Sequence, residues 1–170
     1  MDAVIRSDIA QAGDAIILAY DLNGRVGKNS IYSWDSTMMK TPASVREKFM
    51  VMRTLGERNL VTAGKDISNL RTIGTLGMLL ETSGKGASVD MTAIPHPEGV
   101  DFVHWLKIYP ATDYVVTTQD ARECIRIFED AGLDAAVVGV IDDGSCLDIY
   151  EGENRVTVFD FGRDAITGIR

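Results

Sequence analysis

The stretch that decides the fold runs from residue 60 to residue 82 and reads Leu-Val-Thr-Ala-Gly-Lys-Asp-Ile-Ser-Asn-Leu-Arg-Thr-Ile-Gly-Thr-Leu-Gly-Met-Leu-Leu-Glu-Thr. Its first four residues are apolar or β-branched and predict a short strand over 60–63. The polar residues 64–69 interrupt this pattern, and apolar residues at helical spacing then predict a helix over 70–82. Gly74 and Gly77 each cost about 1 kcal/mol relative to alanine inside a helix, so we expect close packing there. The stretch therefore predicts a strand, a polar corner and a helix.

The chain on either side of this stretch alternates predicted strands and helices. Apolar runs and turn signals predict strands over residues 15–20, 87–91, 114–118, 135–141, 146–150 and 156–161. Apolar spacing and capping residues predict helices from Thr41-Pro42 to about residue 55, over 100–108 and over 120–131, and weak periodicity predicts a loop over 25–40. Strands paired around Asp-Gly turns and mixed with crossover helices are typical of an α+β or mixed sheet with helices packed on it.

The composition indicates a single soluble domain. The 170 residues are 45% hydrophobic and carry a formal net charge of −8, which disfavours a nucleic-acid binder with a general affinity for phosphate backbones. No apolar run approaches the roughly 20 residues that span a bilayer, and the N-terminus lacks the apolar core of a signal peptide. We therefore expect a cytoplasmic protein, with Cys124 buried on the apolar stripe of a helix.

The corner between the strand and the helix is the first candidate site. Ser68 or Asn69 is expected to cap the helix, whose N-terminal N–H groups and dipole favour an anion. Lys65 and Arg71 add positive charge, and Asp66 is suited to accept hydrogen bonds from a ligand hydroxyl or amine, or to help hold a cation. The alternative is an ordinary capped helix with solvated basic side chains.

A second candidate is the tetrad Trp34-Asp35-Ser36-Thr37 in the loop over 25–40. Polar residues beside an aromatic in a long loop are typical of binding segments. The alternative interpretation is that Trp34 covers the core and that Asp35 forms an Asx turn. The residues alone leave both interpretations open.

Standard catalytic patterns do not occur in this sequence. The Gly-Lys pairs do not fit G-x-x-x-x-G-K-[ST], and no G-x-G-x-x-G opens a helix after a strand. His96 and His104 are eight residues apart with no cysteine nearby, so we expect no zinc site. Asp142, Asp143 and Asp148 are predicted to be a solvated turn, with a cation as the minor alternative.

Nearly the whole chain resembles a known superfamily, in order. The segment Lys65-Asp66-Ile67-Ser68-Asn69 with the helix that follows is similar to the Asp-Ile/Leu-Ser segment in the C-terminal domain of the PurM (aminoimidazole ribonucleotide synthetase), ThiL, SelD and HypE superfamily. The resemblance is nearest to the AIR synthase-related group that includes the methanogenesis marker 2 proteins. Further matching stretches are 13–17, 34–37, 94–100, 105–110, 136–139 and 164–168.

This resemblance implies a fold and separate roles for two domains. It implies a three-layer α/β/α arrangement with a mixed, largely antiparallel sheet, partly like a ferredoxin fold. Family proteins have two domains, of which the N-terminal one supplies the dimer interface and acidic residues that hold Mg–ATP. By this resemblance residues 1–13 are the remnant of an inter-domain junction, residues 14–170 are the C-terminal domain, and the ATP-binding domain is absent. This chain alone is then expected neither to bind Mg–ATP nor to be active.

The resemblance also implies the roles of the candidate residues and the partners. Asp66, Ser68 and Asn69 resemble the segment that faces the cleft, with Lys65 alongside, whereas Leu70-Arg71 stands where relatives often have a small or glycine-containing pair. Either this bulk closes the approach to a ligand or Arg71 contacts a phosphate. The expected partners are an ATP-binding domain or chain, a small phosphorylated or carbonyl-bearing substrate, and a second copy in a homodimer. A non-catalytic binding module that keeps the fold is the alternative function.

Overall fold

The computed structural model describes residues 4–169. The strands are β1 (Ala15–Tyr20), β2 (Arg25–Val26), β3 (Trp34–Asp35), β4 (Ala63–Asp66), β5 (Gly86–Asp90), β6 (Tyr114–Thr118), β7 (Asp134–Asp142), β8 (Cys146–Glu151) and β9 (Asn154–Asp160). The helices are α1 (Pro42–Glu57), α2 (Arg71–Ser83), α3 (Phe102–Trp105) and α4 (Ala121–Asp130), and a single 3₁₀ turn spans Met91–Ala93. No helix in this part of the chain is long and apolar enough to cross a membrane.

Seven strands form one mixed sheet in the order β4-β6-β1-β7-β5-β8-β9. All neighbouring pairs are antiparallel except β5 and β8, which run parallel. The two-residue strands β2 and β3 pair with each other apart from this sheet. The architecture confirms the predicted α+β class with a mixed, largely antiparallel sheet.

The central strand β1 divides two hydrophobic cores because successive side chains point to opposite faces of the sheet. Ile16, Leu18 and Tyr20 belong to the core that contains α2 residues such as Leu76. Ile17 and Ala19 belong to the core formed with α1 and α4, which includes Leu55, Cys124 and Phe128. Helices therefore pack on both faces of the sheet, and the three-layer arrangement is confirmed.

Two predicted elements lie elsewhere than the sequence indicated. The strand expected over 60–63 is displaced along the chain: β4 begins only at Ala63 and runs to Asp66, because these residues pair with β6 from Thr117 to Tyr114. The helix expected over 100–108 is only the single turn α3. The helix does not continue, because the backbone N–H and carbonyl of Tyr109 bond to Tyr32 and Trp34 instead.

Helix α2 packs closely at one of its glycines, as predicted. A Cβ added to Gly77 would lie 2.6 Å from Cδ1 of Ile166 and 3.3 Å from the ring of Phe159. The C-terminal segment therefore lies against this helix, and a side chain at position 77 would displace it.

Candidate functional site

Both predicted site segments lie at one end of the sheet. β1 and β4 end there and β6 begins there, since Tyr114 is the register partner of both Ala19 and Asp66. The corner formed by residues 65–69 (the 65–69 corner) follows β4 directly, and residues 25–40 (the 25–40 segment) follow β1. Antiparallel pairing thus brings together segments that are some 30 residues apart in the sequence.

The 65–69 corner is anchored through its apolar residue and presents its polar side chains outward. Ile67 is 3% exposed, and its N–H donates to the carbonyl of Asp113 at 2.9 Å. Asp66 and Asn69 are exposed, and Lys65 and Ser68 are half-buried. Among residues 4–169 no side-chain hydrogen bond or ion pair engages Lys65 or the Asp66 carboxylate. The anchoring therefore leaves these two charged groups available to a ligand.

The start of α2 differs from the expected cap. Leu70 occupies the N-cap position and supplies no side-chain hydrogen bond, so the expectation that Ser68 or Asn69 caps the helix is wrong. Ser68 instead receives the Arg71 N–H on its carbonyl at 2.8 Å, in a turn that precedes the helix. The first N–H groups of α2 are consequently left without a side-chain acceptor, which is the arrangement that favours an anion.

Arg71 has a positive φ of 58°, a conformation that disfavours residues with a Cβ. Its Nε donates to the Lys107 carbonyl at 3.0 Å, and Nη1 donates to the Asn69 carbonyl. The guanidinium also lies 6.0 Å from the ring centroid of Tyr109. These contacts fix the side chain of Arg71, which with Leu70 stands where the resemblance leads us to expect a small or glycine-containing pair.

The tetrad 34–37 is built mainly into the fold. Trp34 is 5% exposed, and its indole N–H donates to the Asp21 carbonyl at 2.8 Å. Oδ1 of Asp35 accepts the N–H groups of Thr37 (3.3 Å) and Met38 (3.0 Å), and these bonds lower the pKa of its carboxyl group. This is the Asx turn of the alternative interpretation.

The hydroxyl-bearing residues of the tetrad differ in their environments. Ser36 is 2% exposed and its hydroxyl lies 3.2 Å from that of Thr112. Thr37 is half-buried. A binding role for Asp35, Ser36 and Thr37 thus remains a prediction, and Ser36 is the least accessible of the three.

Three shallow clefts surround this end of the sheet. One of about 450 Å³ contains Lys65 and Asp66, a second of about 450 Å³ contains Asp35 and Thr37, and a third of about 420 Å³ contains Arg71. The structure therefore brings Lys65 and Asp66 together but places Arg71 and the tetrad in neighbouring clefts. Tyr109 connects the last two, because it lines the second cleft and lies beside Arg71.

Sequence reasoning missed a buried ionic cluster that lies beneath the two segments. The Asp21 carboxylate is fully buried and contacts Nζ of Lys40 at 2.5 Å and Nζ of Lys48 at 3.0 Å. The Asp21 N–H donates to Oδ1 of Asp113 at 2.8 Å. Nζ of Lys48 also donates to the Gly132 carbonyl at 2.5 Å. A polar residue directly after an apolar strand was the one available hint, since Asp21 follows the buried run of β1.

Burial is the largest influence on the pKa of the Asp113 carboxyl group. The side chain is almost fully enclosed, and desolvation, aided by the nearby Asp21 charge, raises the pKa of its carboxyl group to about 8. The Asp21 N–H, Lys48 and Lys40 act in the opposite direction. Asp113 is therefore mainly protonated at neutral pH, beside a paired Asp21.

The residues described here do not provide a metal centre. Within residues 4–169 no group of three or more His, Cys, Asp or Glu side chains is placed to hold a metal ion. His104 packs against the ring of Tyr32 with 5.7 Å between ring centroids, and His96 lies 5.2 Å from that of Phe102.

Comparison with known proteins supports the resemblance drawn from the sequence. The family model described as "AIR synthase related protein, C-terminal domain" matches residues 11–150. The chain is 45% identical over 169 residues to the uncharacterized protein MJ0640 of Methanocaldococcus jannaschii, and 33% identical over 168 residues to the uncharacterized protein sll0787 of Synechocystis. Each alignment covers 98% of this chain and 52% of the relative, so the chain spans about half the length of these relatives.

Solved structures share the fold at low sequence identity. The chain matches Thermotoga maritima PurL complexed with ATP with a TM-score of 0.75 and 17% identity, over 95% of this chain and 27% of that one. It matches Escherichia coli HypE, a hydrogenase maturation protein, with a TM-score of 0.68 and 16% identity, over 97% of this chain and 54% of that one. At these identities the likeness concerns the fold.

Proposed function

Because this chain belongs to the AIR synthase related family as its C-terminal domain, we propose that it is the substrate-side domain of an ATP-dependent protein. In this proposal a separate domain holds Mg–ATP, and the 65–69 corner binds the small substrate that receives or is activated by a phosphoryl group. Solved structures of PurL with ATP, ADP and FGAR support an ATP-linked role for proteins of this fold.

The observation that carries the proposal is the free polar surface of the 65–69 corner. Asp66 is exposed and without an ion pair within residues 4–169, and Lys65 lines the same cleft. The adjacent start of α2 has no side-chain cap. A lysine, a carboxylate and a helix start without a side-chain cap together suit a substrate that carries both an anionic group and a hydroxyl or amine. Catalysis would then consist mainly of positioning and charge stabilisation.

Direct binding to this chain tests the site first. Inorganic phosphate and a small phosphorylated sugar are titrated while amide chemical shifts are recorded by NMR. We expect the largest shifts at residues 66–73 and a several-fold weaker binding in Lys65→Gln. The matched control is Lys85→Gln, because Lys85 is half-buried in a cleft near the other end of α2 and pairs with Asp143. Equal loss in both variants, or no shift near the corner, would contradict the proposed site.

Turnover tests the second half of the proposal. This chain is fused to the part of the Methanocaldococcus jannaschii relative that it does not match, and ATP hydrolysis is measured with and without Asp66→Ala. We expect ATP hydrolysis by the fusion and its reduction in the variant. Unchanged turnover in Asp66→Ala would remove Asp66 from the mechanism.

A binding module without catalysis is the second candidate function. Large apolar side chains are exposed near the 65–69 corner, where Tyr32 is 47%, Leu70 45% and Tyr109 40% exposed. Tyr32 and Leu70 line the same cleft, and the Tyr109 N–H donates to the Tyr32 carbonyl at 2.7 Å. An exposed apolar surface of this kind is typical of an interface. Dimerisation of the isolated chain that is lost in Leu70→Ser, without any phosphate binding, would favour this function over the first.

A further inference from the structure

Asp21 contacts three other parts of the molecule. Its N–H donates to the carboxyl group of Asp113, the residue just before β6, at 2.8 Å. Its carbonyl accepts the indole N–H of Trp34 in the 25–40 segment, also at 2.8 Å. Its carboxylate contacts Lys40, in the same segment, and Lys48 of α1. A displacement of Asp21 would therefore move the 25–40 segment through two separate contacts, with Trp34 and with Lys40.

Asp113 connects this cluster to the 65–69 corner. Its carbonyl accepts the Ile67 N–H at 2.9 Å, which is the bond that anchors the corner to the sheet. Its carboxyl group binds the Asp21 N–H. Asp113 thus contacts the 65–69 corner through its backbone carbonyl and Asp21 through its side chain.

The second carboxyl oxygen of Asp113 is unsatisfied. Oδ2 is buried and has no hydrogen-bond partner within residues 4–169. A neutral carboxyl group tolerates this better than a carboxylate, since a buried ion with a single donor carries a large desolvation penalty. Ionisation of Asp113 therefore requires a new partner for this oxygen, either water or one of the cations Lys40 and Lys48 that already act on it.

We propose that Asp113 is a proton-operated switch that couples the 65–69 corner to the 25–40 segment. With the proton bound, Lys40 and Lys48 both pair with Asp21, and the segment is held by Lys40 and Trp34. When the proton passes to solvent, the new carboxylate draws these ammonium groups towards itself and weakens their contacts with Asp21. Because Lys40 belongs to the 25–40 segment, the segment shifts relative to the corner.

The two tyrosines that face Asp113 do not change charge in the same range. Tyr20 of β1 donates to or accepts from Thr72 at 2.8 Å, and burial raises the pKa of its hydroxyl group. Burial and the charges of Asp113 and Asp66 raise the pKa of Tyr114 to about 12. The cations are Lys40 from the segment and Lys48 from α1, and Asp21 is paired with both. The switch is independent of whether the corner binds the proposed substrate.

An NMR titration between pH 6 and pH 9.5 tests the switch in the full chain. The indole N–H of Trp34 reports on the 25–40 segment and the amide of Ile67 reports on the corner. We expect both resonances to move with a common midpoint near pH 8. Asp113→Asn keeps an oxygen for the Asp21 N–H but does not titrate, so the common transition is expected to disappear. The control Asp143→Asn changes a 79% exposed carboxylate and should leave the transition intact.

Lys40→Met keeps the test decisive if Asp113→Asn does not fold. The Ile67 transition should persist in this variant, because Asp113 still titrates, while the Trp34 shift should fall to less than half. An unchanged Trp34 shift would overturn the coupling through Lys40. The absence of any transition at Ile67 in the wild-type chain, or its survival in Asp113→Asn, would overturn the switch itself.

Discussion

Glu81 of α2 holds Thr167 by two hydrogen bonds of 2.7 Å each, one from the backbone N–H and one from the hydroxyl group. The same carboxylate accepts the N–H groups of Ile166 (3.1 Å) and Gly168 (3.2 Å). Glu81 is 3% exposed, so four donors from the C-terminal segment satisfy a buried charge. This carboxylate fixes the segment against α2, beside the contact of Ile166 with Gly77.

Glu81→Gln is expected to destabilise the chain by about 1–3 kcal/mol. A glutamine offers one acceptor oxygen and turns an N–H₂ group towards backbone donors, so at least two of the four bonds are lost. Denaturant unfolding measures the loss, and hydrogen exchange of residues 166–168 should accelerate more than that of β1. Glu153→Gln, in the exposed turn between β8 and β9, is the control. Equal effects of the two variants would contradict the role of Glu81.

The same carboxylate predicts a pH dependence. Burial raises the pKa of Glu81, but the hydrogen bonds from Thr167, Gly168 and Ile166 outweigh it, and the pKa lies below its ordinary value. A lowered folded-state pKa means that this contribution to stability is present above the ordinary pKa and is lost as the pH falls through the folded pKa. Acid should therefore release the C-terminal segment in the wild type, whereas Glu81→Gln should show no such step in hydrogen exchange at residues 166–168.

Removing the Asp21 carboxylate should be far more costly than removing an exposed one. Asp21→Asn leaves Lys40 and Lys48 as buried ammonium groups without their counter-ion, and breaking a buried pair costs about 3–5 kcal/mol. Asp8→Asn is the matched control, because Asp8 pairs with Arg6 at 2.7 Å at the surface. An exposed pair contributes about 0–1 kcal/mol. Urea unfolding of both variants checks the difference, and similar midpoints would contradict it.

The sequence predicts the elements that have a clear apolar pattern. The run 15–20 becomes β1 with the same bounds, and the stripe that contains Cys124 and Phe128 becomes α4. These elements are predictable because burial of one face imposes a period on the sequence. The strand predicted over 60–63 has no such period, and its displacement to Ala63–Asp66 follows from pairing with β6, which is about 50 residues away.

The polar contacts of the site are less predictable for the same reason. Asp21 and Asp113 are 92 positions apart, and neither lies in a motif, yet sheet pairing places them in hydrogen-bonding contact. Lys48 lies on a predicted helix, where a lysine is normally solvated, but it is buried against Gly132. The alternation of polar and apolar residues does not indicate which distant side chains pair. The polar corner at Lys65 and Asp66 and the Asx turn of Asp35 could be predicted because each depends on neighbouring residues alone.

Gly139→Ala should destabilise the sheet more than an ordinary glycine substitution. A Cβ at position 139 would lie 2.2 Å from the Ser88 carbonyl oxygen, and this contact is with backbone of the adjacent strand β5. Backbone in the middle of a sheet cannot move aside without loss of ladder bonds, so we expect a cost of about 3 kcal/mol, at the upper end of the usual range for overpacking. Gly162→Ala, whose nearest neighbour would be the Asp160 carboxylate at 3.1 Å, should cost much less. Thermal unfolding of both variants distinguishes a close approach of strands from a general effect of added side chains.

At Arg71 the usual order of helix propensities should be inverted. Alanine is normally better than glycine in a helix by about 1 kcal/mol. Arg71 has a φ of 58°, where a Cβ costs about 1–2 kcal/mol and glycine costs nothing. Arg71→Ala and Arg71→Gly both lose the bond to the Lys107 carbonyl and the contact with Tyr109, so the comparison between them isolates the backbone term.

We therefore expect Arg71→Gly to be more stable than Arg71→Ala by up to about 1 kcal/mol in urea unfolding. The same pair at Thr82, a helical residue of α2 without a positive φ, should show alanine as the more stable variant. If alanine were also better at position 71, the left-handed turn before α2 would not be the native conformation. The proposed ligand site would then lose the geometry that leaves the first N–H groups of the helix uncapped, because that turn is what carries the chain from the 65–69 corner into α2.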